Sequence, residues 1–500
     1  MWLLLPLLLC PAVALKIREP PAPSRLARNG SQELFFDVYL NQFMASDSKK
    51  FPMRFFYNEV NATYENIVIN VGAEWSINPS HTEGGLPYEV ADEVKGAVFY
   101  TEHRFFGKSR PTEDTSVENL QYLSVNHALR DLVQFINYIK SDEFQNGHYK
   151  YGKVVLIGCS LAGTMATWMR TAYPHLIDAA ISDSGPVLVK VEFEEYLEVV
   201  TKALRTQGGE ECVKSVEEGV AAVLAAAGTS AGRTQIQELF DTCTTLAEDR
   251  PLDLATFFWF SITETFAELV QYAKPGDIKD ACLDLTNSTI GNPIQRFAAW
   301  ISKNRDNKID CLETRYSEKV ASYKNTSYDA RTNAYRLWTY MTCVEMGWFQ
   351  TTASSVQPFG STVPLDFFVE MCKDFFDSRF TETRVRHGVE LLNTFYGGHD
   401  YLPDNVITVL GSLDPWAPMG PRPANATEKS PIFVIEGASH CNTFKTSSES
   451  DPEPLKVAKR AMMRRLRAII TGEEEPKDNA ASKLHISVVL LLTVACILFE

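Results

Sequence analysis

Residues 153–163 read Lys-Val-Val-Leu-Ile-Gly-Cys-Ser-Leu-Ala-Gly, an apolar strand pattern that ends in small residues around Ser160 and then opens into a helical pattern. This stretch predicts a nucleophile elbow, a sharp strand-to-helix turn that lifts one serine hydroxyl out of the backbone. Gly158 and Ala162 fit such a turn because larger side chains would collide across it. The alternative is a strand that merely ends in Gly-Cys-Ser before a helix, since short matches of this kind often arise by chance.

A reactive serine needs a base and an orienting acid, and an α/β-hydrolase sheet supplies them in the chain order Ser, Asp, His. Asp414 is the best-placed acid. Beyond it the only histidines are His440 and His485, and His485 lies beside a C-terminal apolar tail. Asp414 and His440 each follow an apolar, strand-like run. Loops at the carboxyl ends of parallel strands meet at one crevice, so we expect Ser160, Asp414 and His440 to converge there.

These three side chains define one reaction. His440 would take the proton of Ser160 as the hydroxyl attacks, Asp414 would hold the imidazole, and an acyl-enzyme would form. The backbone N–H of Leu161, at the start of the following helix, would help to bind the oxyanion. Taken singly, Asp414 is better interpreted as a solvated turn residue and His440 as a loop histidine. The three positions together favour the triad.

The composition suits a large enzyme and argues against several other classes. The chain has 500 residues, 45% hydrophobic and 22% charged, which allows about three domains or one large domain with an insertion. A formal net charge of −15 argues against a nucleic-acid partner. No repeat, P-loop, paired CxxC or HExxH motif occurs, so the sequence predicts neither a metal nor a cofactor.

The sequences at both ends of the chain predict targeting to the secretory pathway. Residues 1–14 have the apolar stretch and the small-residue end of a signal peptide. Residues 486–499 form an apolar tail after a polar run and small residues. This order favours a GPI-anchor signal, and so membrane attachment through a lipid, over a transmembrane helix or a disordered tail. Asn-x-Ser/Thr sequons predict glycosylation at Asn29, Asn61, Asn287, Asn325 and Asn425.

The cysteines indicate an oxidising compartment. Ten cysteines become eight when Cys10 in the signal and Cys496 in the tail are set aside, and disulfides are the default interpretation. Cys159 and Cys441 each adjoin a proposed catalytic residue, and the sequence leaves open whether they form a bridge or stay buried free thiols. The other six lie in the middle of the chain, where a helical insertion would need bracing: Cys212, Cys243, Cys282, Cys311, Cys343 and Cys372.

Alternating strand and helix patterns predict an α/β fold with a mostly parallel sheet. In the middle of the chain the pattern becomes purely helical, which indicates a cap inserted into the sheet domain. One long helix is expected over 120–139 and a closing basic helix over 456–470. The predicted parts are a signal peptide at 1–14, a first sheet part at 35–188, a helical cap at 189–382, a second sheet part at 383–470, and a linker with an apolar tail at 471–500.

Seven segments between residues 35 and 470 form a combination far more specific than a lone elbow. They are residues 102–109, 115–123, the elbow at Ser160, 338–343, 350–352, 411–416 and 437–441. Together they resemble the serine peptidase family that holds lysosomal prolyl carboxypeptidase, dipeptidyl peptidase II and thymus-specific serine protease, and most closely its thymus-specific branch.

The resemblance implies an α/β-hydrolase fold with a helical cap, a triad of Ser160, Asp414 and His440, and acid-tolerant exopeptidase activity, often after proline. It also implies three disulfides in the cap, which pair Cys212 with Cys282, Cys243 with Cys311, and Cys343 with Cys372.

Departures from the family pattern fall at the site itself. The elbow has Cys159 and Leu161 where the family usually has Gly and Tyr. Glu74 is predicted to receive a substrate amino terminus or to support the oxyanion loop, with a structural salt bridge as the alternative. Asp183 is a second candidate acid or a substrate-binding residue, ranked below Asp414. Trp416 is predicted to bind substrate.

The sequence thus predicts a serine exopeptidase that cleaves peptide substrates near chain ends, of the dipeptidyl peptidase or prolyl carboxypeptidase type. The altered elbow keeps a second hypothesis open, a catalytically weak or inactive glycoprotein that binds peptides or a surface partner. A lipase or esterase is a third hypothesis. The absence of an HGGG-like loop from the sequence argues against it. The protein is expected to be secreted, lysosomal or GPI-anchored. Homodimer formation and the recognised end of the substrate stay open.

Overall fold

The computed structural model describes residues 19–20, 23, 30–60, 64–305 and 310–473. The predicted signal peptide, the sequons at Asn29 and Asn61, and the apolar tail lie outside these residues. Asn287 and Asn325 are exposed, whereas Asn425 is half-buried and its side-chain amide donates to the backbone carbonyl of His399. Among the helices of the described part, none is both long enough and apolar enough to span a membrane.

An eight-stranded sheet with the order β1-β2-β4-β3-β5-β6-β9-β10 forms the centre of the described fold. The pairs β1–β2 and β2–β4 are antiparallel, and the pairs from β4 through β10 are parallel. Strands β7 and β8 pair in a separate small sheet. The strands are β1 Gln32–Tyr39, β2 Lys50–Asn58, β3 Asn66–Asn70, β4 Gly96–Thr101, β5 Val154–Cys159, β6 Ala179–Asp183, β7 Lys190–Glu192, β8 Gly347–Phe349, β9 Val406–Gly411 and β10 Ile432–Ile435.

Helices cover both faces of the sheet or fill the insertion between β6 and β9. They are α1 Ser80–Glu83, α2 Gly85–Val94, α3 Val117–Leu120, α4 Val125–Ile139, α5 Leu161–Ala172, α6 Glu195–Gly208, α7 Glu210–Ala227, α8 Ser230–Phe240, α9 Pro251–Phe257, α10 Glu264–Gln271, α11 Asp277–Thr286, α12 Pro293–Asn304, α13 Tyr316–Tyr323, α14 Asn333–Met341, α15 Leu365–Phe375, α16 Glu382–Tyr396 and α17 Glu453–Thr471. Phe258–Thr263 and Thr342–Met346 are π-helical turns that continue α9 and α14. This arrangement confirms the predicted α/β-hydrolase fold.

Strand β5 explains why the sheet lies in the middle of the core. All six of its residues are buried, as expected for a strand covered on both faces. Val154 and Leu156 join the core formed with α4, α5 and the insertion. Val155 and Ile157 join a second core formed with α2 and α17. The cap and one face of the sheet therefore share a continuous apolar core.

Two local expectations differ from the structure. The single helix expected over 120–139 is broken, because Ser124 ends the preceding turn and caps α4 by accepting a hydrogen bond from the His127 N–H at 3.2 Å. Strand β1 and helix α2 were not predicted. Most of β1 is partly exposed and only Val38 is buried, so its apolar signal is weak.

Three disulfides brace the insertion. They join Cys212 to Cys282, Cys243 to Cys311, and Cys343 to Cys372, which confirms the pairing implied by the resemblance. With a fourth bridge at the site, these disulfides fit a protein of the secretory pathway.

Candidate active site

Ser160 occupies a strained turn between β5 and α5. Its backbone has φ 58° and ψ −132°, and its N–H donates to the carbonyl of Asp183 on the neighbouring strand at 2.9 Å. A Cβ at Gly158 would lie 2.2 Å from the backbone carbonyl of Ala162, so the turn admits only glycine there. The strand, turn and helix expected from residues 153–163 are all present.

Leu161 is the first residue of α5. The first N–H groups of a helix lack acceptors within that helix, and they carry the positive end of its dipole. Such a group next to Ser160 has the chemistry that an oxyanion donor needs. Its assignment to that role stays a prediction.

Asp414 and His440 form a buried pair at the ends of β9 and β10. Nδ1 of His440 lies 2.9 Å from each carboxylate oxygen of Asp414. Asp414 is fully buried, and its Oδ1 also accepts the Trp416 N–H at 2.9 Å. Strands β5, β6, β9 and β10 are parallel neighbours, so Ser160, Asp414 and His440 all follow carboxyl ends at one edge of the sheet.

The proton position on His440 follows from this pair. A carboxylate only accepts hydrogen bonds, so Nδ1 must carry the proton and Nε2 is the basic nitrogen. Nε2 is buried and has no hydrogen-bond partner among the described residues. Burial lowers the pKa of His440, but the charge and hydrogen bond of Asp414, followed by the charges of Asp183 and Glu74, outweigh burial and raise it.

Asp183 lies beneath the loop that carries His440. The N–H and hydroxyl of Thr443 both donate to its carboxylate, and the Ser184 hydroxyl donates to it at 3.1 Å. Burial raises the pKa of Asp183 to about 6, although Thr443 and the charge of His440 oppose the rise. These contacts indicate that Asp183 holds the histidine loop in place. They favour this role more than the predicted contact with substrate.

Glu74 is a second buried acid close enough to His440 to interact with its charge. Burial raises the pKa of Glu74 to about 7, against the opposing effects of its own backbone N–H and of His440. Its Oε2 is buried without a hydrogen-bond partner in the part of the chain that the structure describes. The salt bridge considered for Glu74 is not among the ion pairs of the described residues, and its contact with substrate stays a prediction.

Trp416 connects the histidine to an aromatic cavity. Its ring centroid lies 6.4 Å from that of His440, 5.4 Å from Trp348 and 6.3 Å from Trp338. Both tryptophans line a cavity of about 70 Å³. Its other aromatic walls are Trp259, Phe260, Tyr323, Tyr335, Phe349 and Phe368. Glu264 and Gln350 add polar groups to this mostly aromatic lining, and Trp416 lies between the cavity and His440.

Gln271, at the end of α10, connects the helical insertion to the loops that carry His440 and Trp416. Its backbone carbonyl accepts the His440 N–H at 3.1 Å. Its side-chain Oε1 accepts hydrogen bonds from the Tyr196 hydroxyl at 2.6 Å and from Trp416 Nε1 at 3.1 Å. Sequence reasoning missed Gln271, because a glutamine within a helical pattern carries no signal of such contacts.

The Gln271→Ala variant is expected to lower kcat about tenfold and to destabilise the fold by about 2 kcal/mol, because two buried donors lose their acceptor. Steady-state kinetics and thermal unfolding check both effects. The Gln295→Ala variant is the matched control, since Gln295 also lies in the cap but takes part in the capping box of α12. The backbone carbonyl that accepts the His440 N–H is kept in this variant, so an unchanged kcat would contradict a contribution of the side-chain contacts with Trp416 and Tyr196.

A fourth disulfide joins the residue before Ser160 to the residue after His440. Cys159 and Cys441 have Cα atoms 5.7 Å apart and are both buried. The structure thus resolves the question that the sequence left open in favour of a bridge.

A family model described as serine carboxypeptidase S28 matches residues 39–463. The thymus-specific serine protease of Mus musculus is 28% identical over 453 residues, which cover 85% of this chain and 85% of that protein. The lysosomal Pro-X carboxypeptidase of Homo sapiens is 25% identical over 483 residues, 90% of each chain. The solved proline iminopeptidase of Mycobacterium smegmatis aligns with a TM-score of 0.36 and 8% identity, covering 88% of this chain and 100% of that one.

Proposed function

Because the chain belongs to the serine carboxypeptidase S28 family and is a serine peptidase, we propose that it is an exopeptidase whose catalytic residues are Ser160, Asp414 and His440. The observation that carries this proposal is the pairing of His440 Nδ1 with both oxygens of a fully buried Asp414, at the sheet edge where Ser160 turns. This pairing supplies a base with a defined tautomer at the same sheet edge as the turn that carries Ser160.

In the proposed reaction, His440 Nε2 takes the Ser160 proton as the hydroxyl oxygen attacks the scissile carbonyl carbon. Asp414 holds the imidazole and stabilises the imidazolium that forms. The Leu161 N–H donates to the oxyanion. The imidazolium then protonates the leaving amine, and water, deprotonated by the same imidazole, releases the acyl group from Ser160.

The cap supports action at chain ends. Its residue Gln271 contacts the histidine loop through the His440 N–H, and the Ser439 hydroxyl also donates to the Gln271 carbonyl, at 2.9 Å. The Tyr272 ring lies 6.4 Å from the imidazole. A cap that packs this closely on the catalytic loop leaves little room for an uninterrupted polypeptide to cross the site.

The aromatic cavity beside Trp416 supports a preference for proline. A proline ring is compact and apolar, and it packs well on indole faces such as those of Trp338 and Trp348. Polar or charged side chains would lose their hydration in the same place. We therefore propose that the residue on the acyl side of the scissile bond is preferentially proline.

Four versions of one peptide test the proposal: both ends free, the amino end blocked, the carboxyl end blocked, and both ends blocked. Each is made with proline and with alanine before the scissile bond. We expect turnover only with the required end free, and faster turnover after proline. Cleavage of the doubly blocked peptide would contradict exopeptidase action. If the wild type binds peptide without turnover, and Ser160→Ala binds it with the same affinity, an inactive binding protein would be favoured.

The acidic side of the pH profile is expected to report His440, whose pKa is raised above the ordinary value of 6.5. Only the neutral imidazole can accept the Ser160 proton, so kcat/KM is expected to fall about tenfold per pH unit below that raised pKa. Initial rates with an uncharged substrate, from about pH 4 to about pH 9, check this. A plateau that persists well below the ordinary histidine pKa would contradict it and would favour the acid-tolerant activity that the resemblance implies.

A further inference from the structure

We propose that the Cys159–Cys441 disulfide is a positioning element of the catalytic site, which holds the histidine loop against the nucleophile turn. The inference rests on the proposed function, since it assigns the bridge to the Ser160 and His440 pair. Its two cysteines are the immediate neighbours of that serine and that histidine in the chain.

The placement of this bridge differs from that of the other three. Cys212–Cys282, Cys243–Cys311 and Cys343–Cys372 each close 29 to 70 residues within the insertion. The bridge between Cys159 and Cys441 spans 282 residues and joins the first sheet part to the second. It is therefore the covalent link, among the described disulfides, between the loops that carry the base and the nucleophile.

The histidine loop needs such a link because its own strand is weakly held. Strand β10 has four residues, pairs with β9 alone at the edge of the sheet, and leaves Val434 half exposed. Short edge strands open locally at low free energy. Strand β5, by contrast, is fully buried at the centre of the sheet. The disulfide links the segment after edge strand β10 to the end of the buried strand β5.

The backbone around His440 also has a conformation that must be imposed. Cys441 has φ 58°, in the left-handed region that side-chain-bearing residues rarely adopt. Its N–H donates to the Ser184 hydroxyl at 3.0 Å, and its sulfur is bonded to Cys159. Without the bridge, the hydrogen bonds of the loop would have to hold this strained turn alone.

The bridge lies beside the imidazole, since both of its sulfur atoms are within 4.8 Å of a ring nitrogen of His440, but neither cysteine lines the aromatic cavity. Cys159 and Cys441 both belong to the core shared with α2 and α17, whereas α5, which follows Ser160, packs in the opposite core. Removing the bridge therefore leaves the aromatic cavity and the cap intact. We expect removal of the bridge to disturb the alignment of His440 with Ser160 and Asp414. It should therefore lower kcat more than it changes KM.

A looser loop would also change the titration of His440. The charged or titratable groups that face this imidazole are Asp414 after β9, Asp183 at the end of β6, Glu74 after β3, and Tyr272 on the cap. The Asp414 contact contributes most to the raised pKa. When that contact weakens, burial lowers the pKa, and the acidic limb of the profile moves to lower pH.

The test is the Cys159→Ala/Cys441→Ala double variant, which removes the bridge without leaving a free thiol. The matched control is Cys212→Ala/Cys282→Ala, which removes a buried bridge between two cap helices. For the first variant we expect kcat to fall at least tenfold, KM to change less than threefold, and the acidic limb to shift to lower pH. For the control we expect kcat and the pH profile of the wild type, with a lower melting temperature.

Two further measurements make every outcome decisive. Wild-type protein is treated with dithiothreitol, which is oxidised to its cyclic disulfide as the bridge takes up two electrons and two protons, and mass spectrometry identifies which bridge has opened. Activity that falls with opening of Cys159–Cys441 and returns on reoxidation supports the proposal. The proton of the His440–Asp414 hydrogen bond is followed by NMR against pH, which requires no turnover.

A folded double variant with wild-type kcat and an unshifted His440 titration would overturn the proposal. So would a double variant that fails to fold while the control folds, combined with full activity after selective reduction, since the bridge would then serve the fold. If the wild type turns over no peptide but its His440 titration shifts when the bridge is removed, the proposed function fails and the positioning role stands.

Discussion

The Ser160→Ala variant is expected to lose kcat by about 10⁴-fold or more while KM stays within a few-fold of the wild type, because the attacking oxygen is gone and the pocket is unchanged. The residue at this position is partly exposed, at the end of a fully buried strand, so alanine should not weaken the core. Steady-state kinetics on a proline-containing peptide, with a thermal melt of both proteins, checks the expectation.

Ser182→Ala is the matched control for Ser160→Ala. Ser182 lies opposite Gly158 on the neighbouring strand β6, and its buried hydroxyl oxygen has no hydrogen-bond partner among the described residues. Removing this hydroxyl should leave kcat within about threefold of the wild type, because it costs no hydrogen bond. Equal losses in the two variants would mean that the turn at Ser160 has no special reactivity.

The Asp414→Asn variant is expected to lower kcat by about 10⁴-fold near neutral pH, with the fold retained. An asparagine can present its amide N–H to Nδ1 of His440, which moves the proton to Nε2 and removes the basic nitrogen from the site. The pKa of His440 should fall as well, since Asp414 supplies the main opposing charge to burial. Kinetics and an NMR titration of the histidine measure the two effects.

Asp183→Asn distinguishes the two candidate acids. Its carboxylate binds Thr443 and Ser184 beneath the loop, so the change should lower kcat by about tenfold at most through a looser loop. The tautomer of His440 should stay the same, because Nδ1 still faces Asp414. If Asp183→Asn were the more damaging of the two, the orienting acid would be Asp183 and the proposed triad would be wrong.

The sequence predicted the sheet and the positions of the three candidate catalytic residues because each signal was local. Ser160, Asp414 and His440 each follow an apolar run, and parallel strands bring such ends to one edge. Helix α2 escaped prediction because Gly85 and Pro87 in its first turn indicate a loop. The break before α4 escaped because Ser124 lies within an otherwise continuous helical period.

Contacts between distant segments were beyond sequence reasoning. The Cys159–Cys441 bridge joins two segments 282 residues apart, and the sequence left open whether these cysteines form a bridge or stay free thiols. Gln271 contacts the site through a backbone carbonyl and a side-chain oxygen, which no residue pattern encodes. The raised pKa of Glu74 likewise comes from burial in the folded chain rather than from its neighbours in sequence.

These contacts give one account of how the site is held. His440, the proposed base, is held by Asp414 through its ring, by the Gln271 carbonyl through its backbone N–H, and by the disulfide through the next residue. The cap, the sheet and a covalent link thus meet on a single loop. Loss of any one restraint should lower kcat, and loss of the ring contact should lower it most.

Labelling with a fluorophosphonate probe, followed by mass-spectrometric mapping of the modified residue, tests the reactivity of the serine most directly. We expect a single adduct on Ser160, formed faster as pH rises through the raised pKa of His440, and formed far more slowly in His440→Ala. An adduct on another serine, or labelling of Ser160 at the same rate in wild type and His440→Ala, would contradict it.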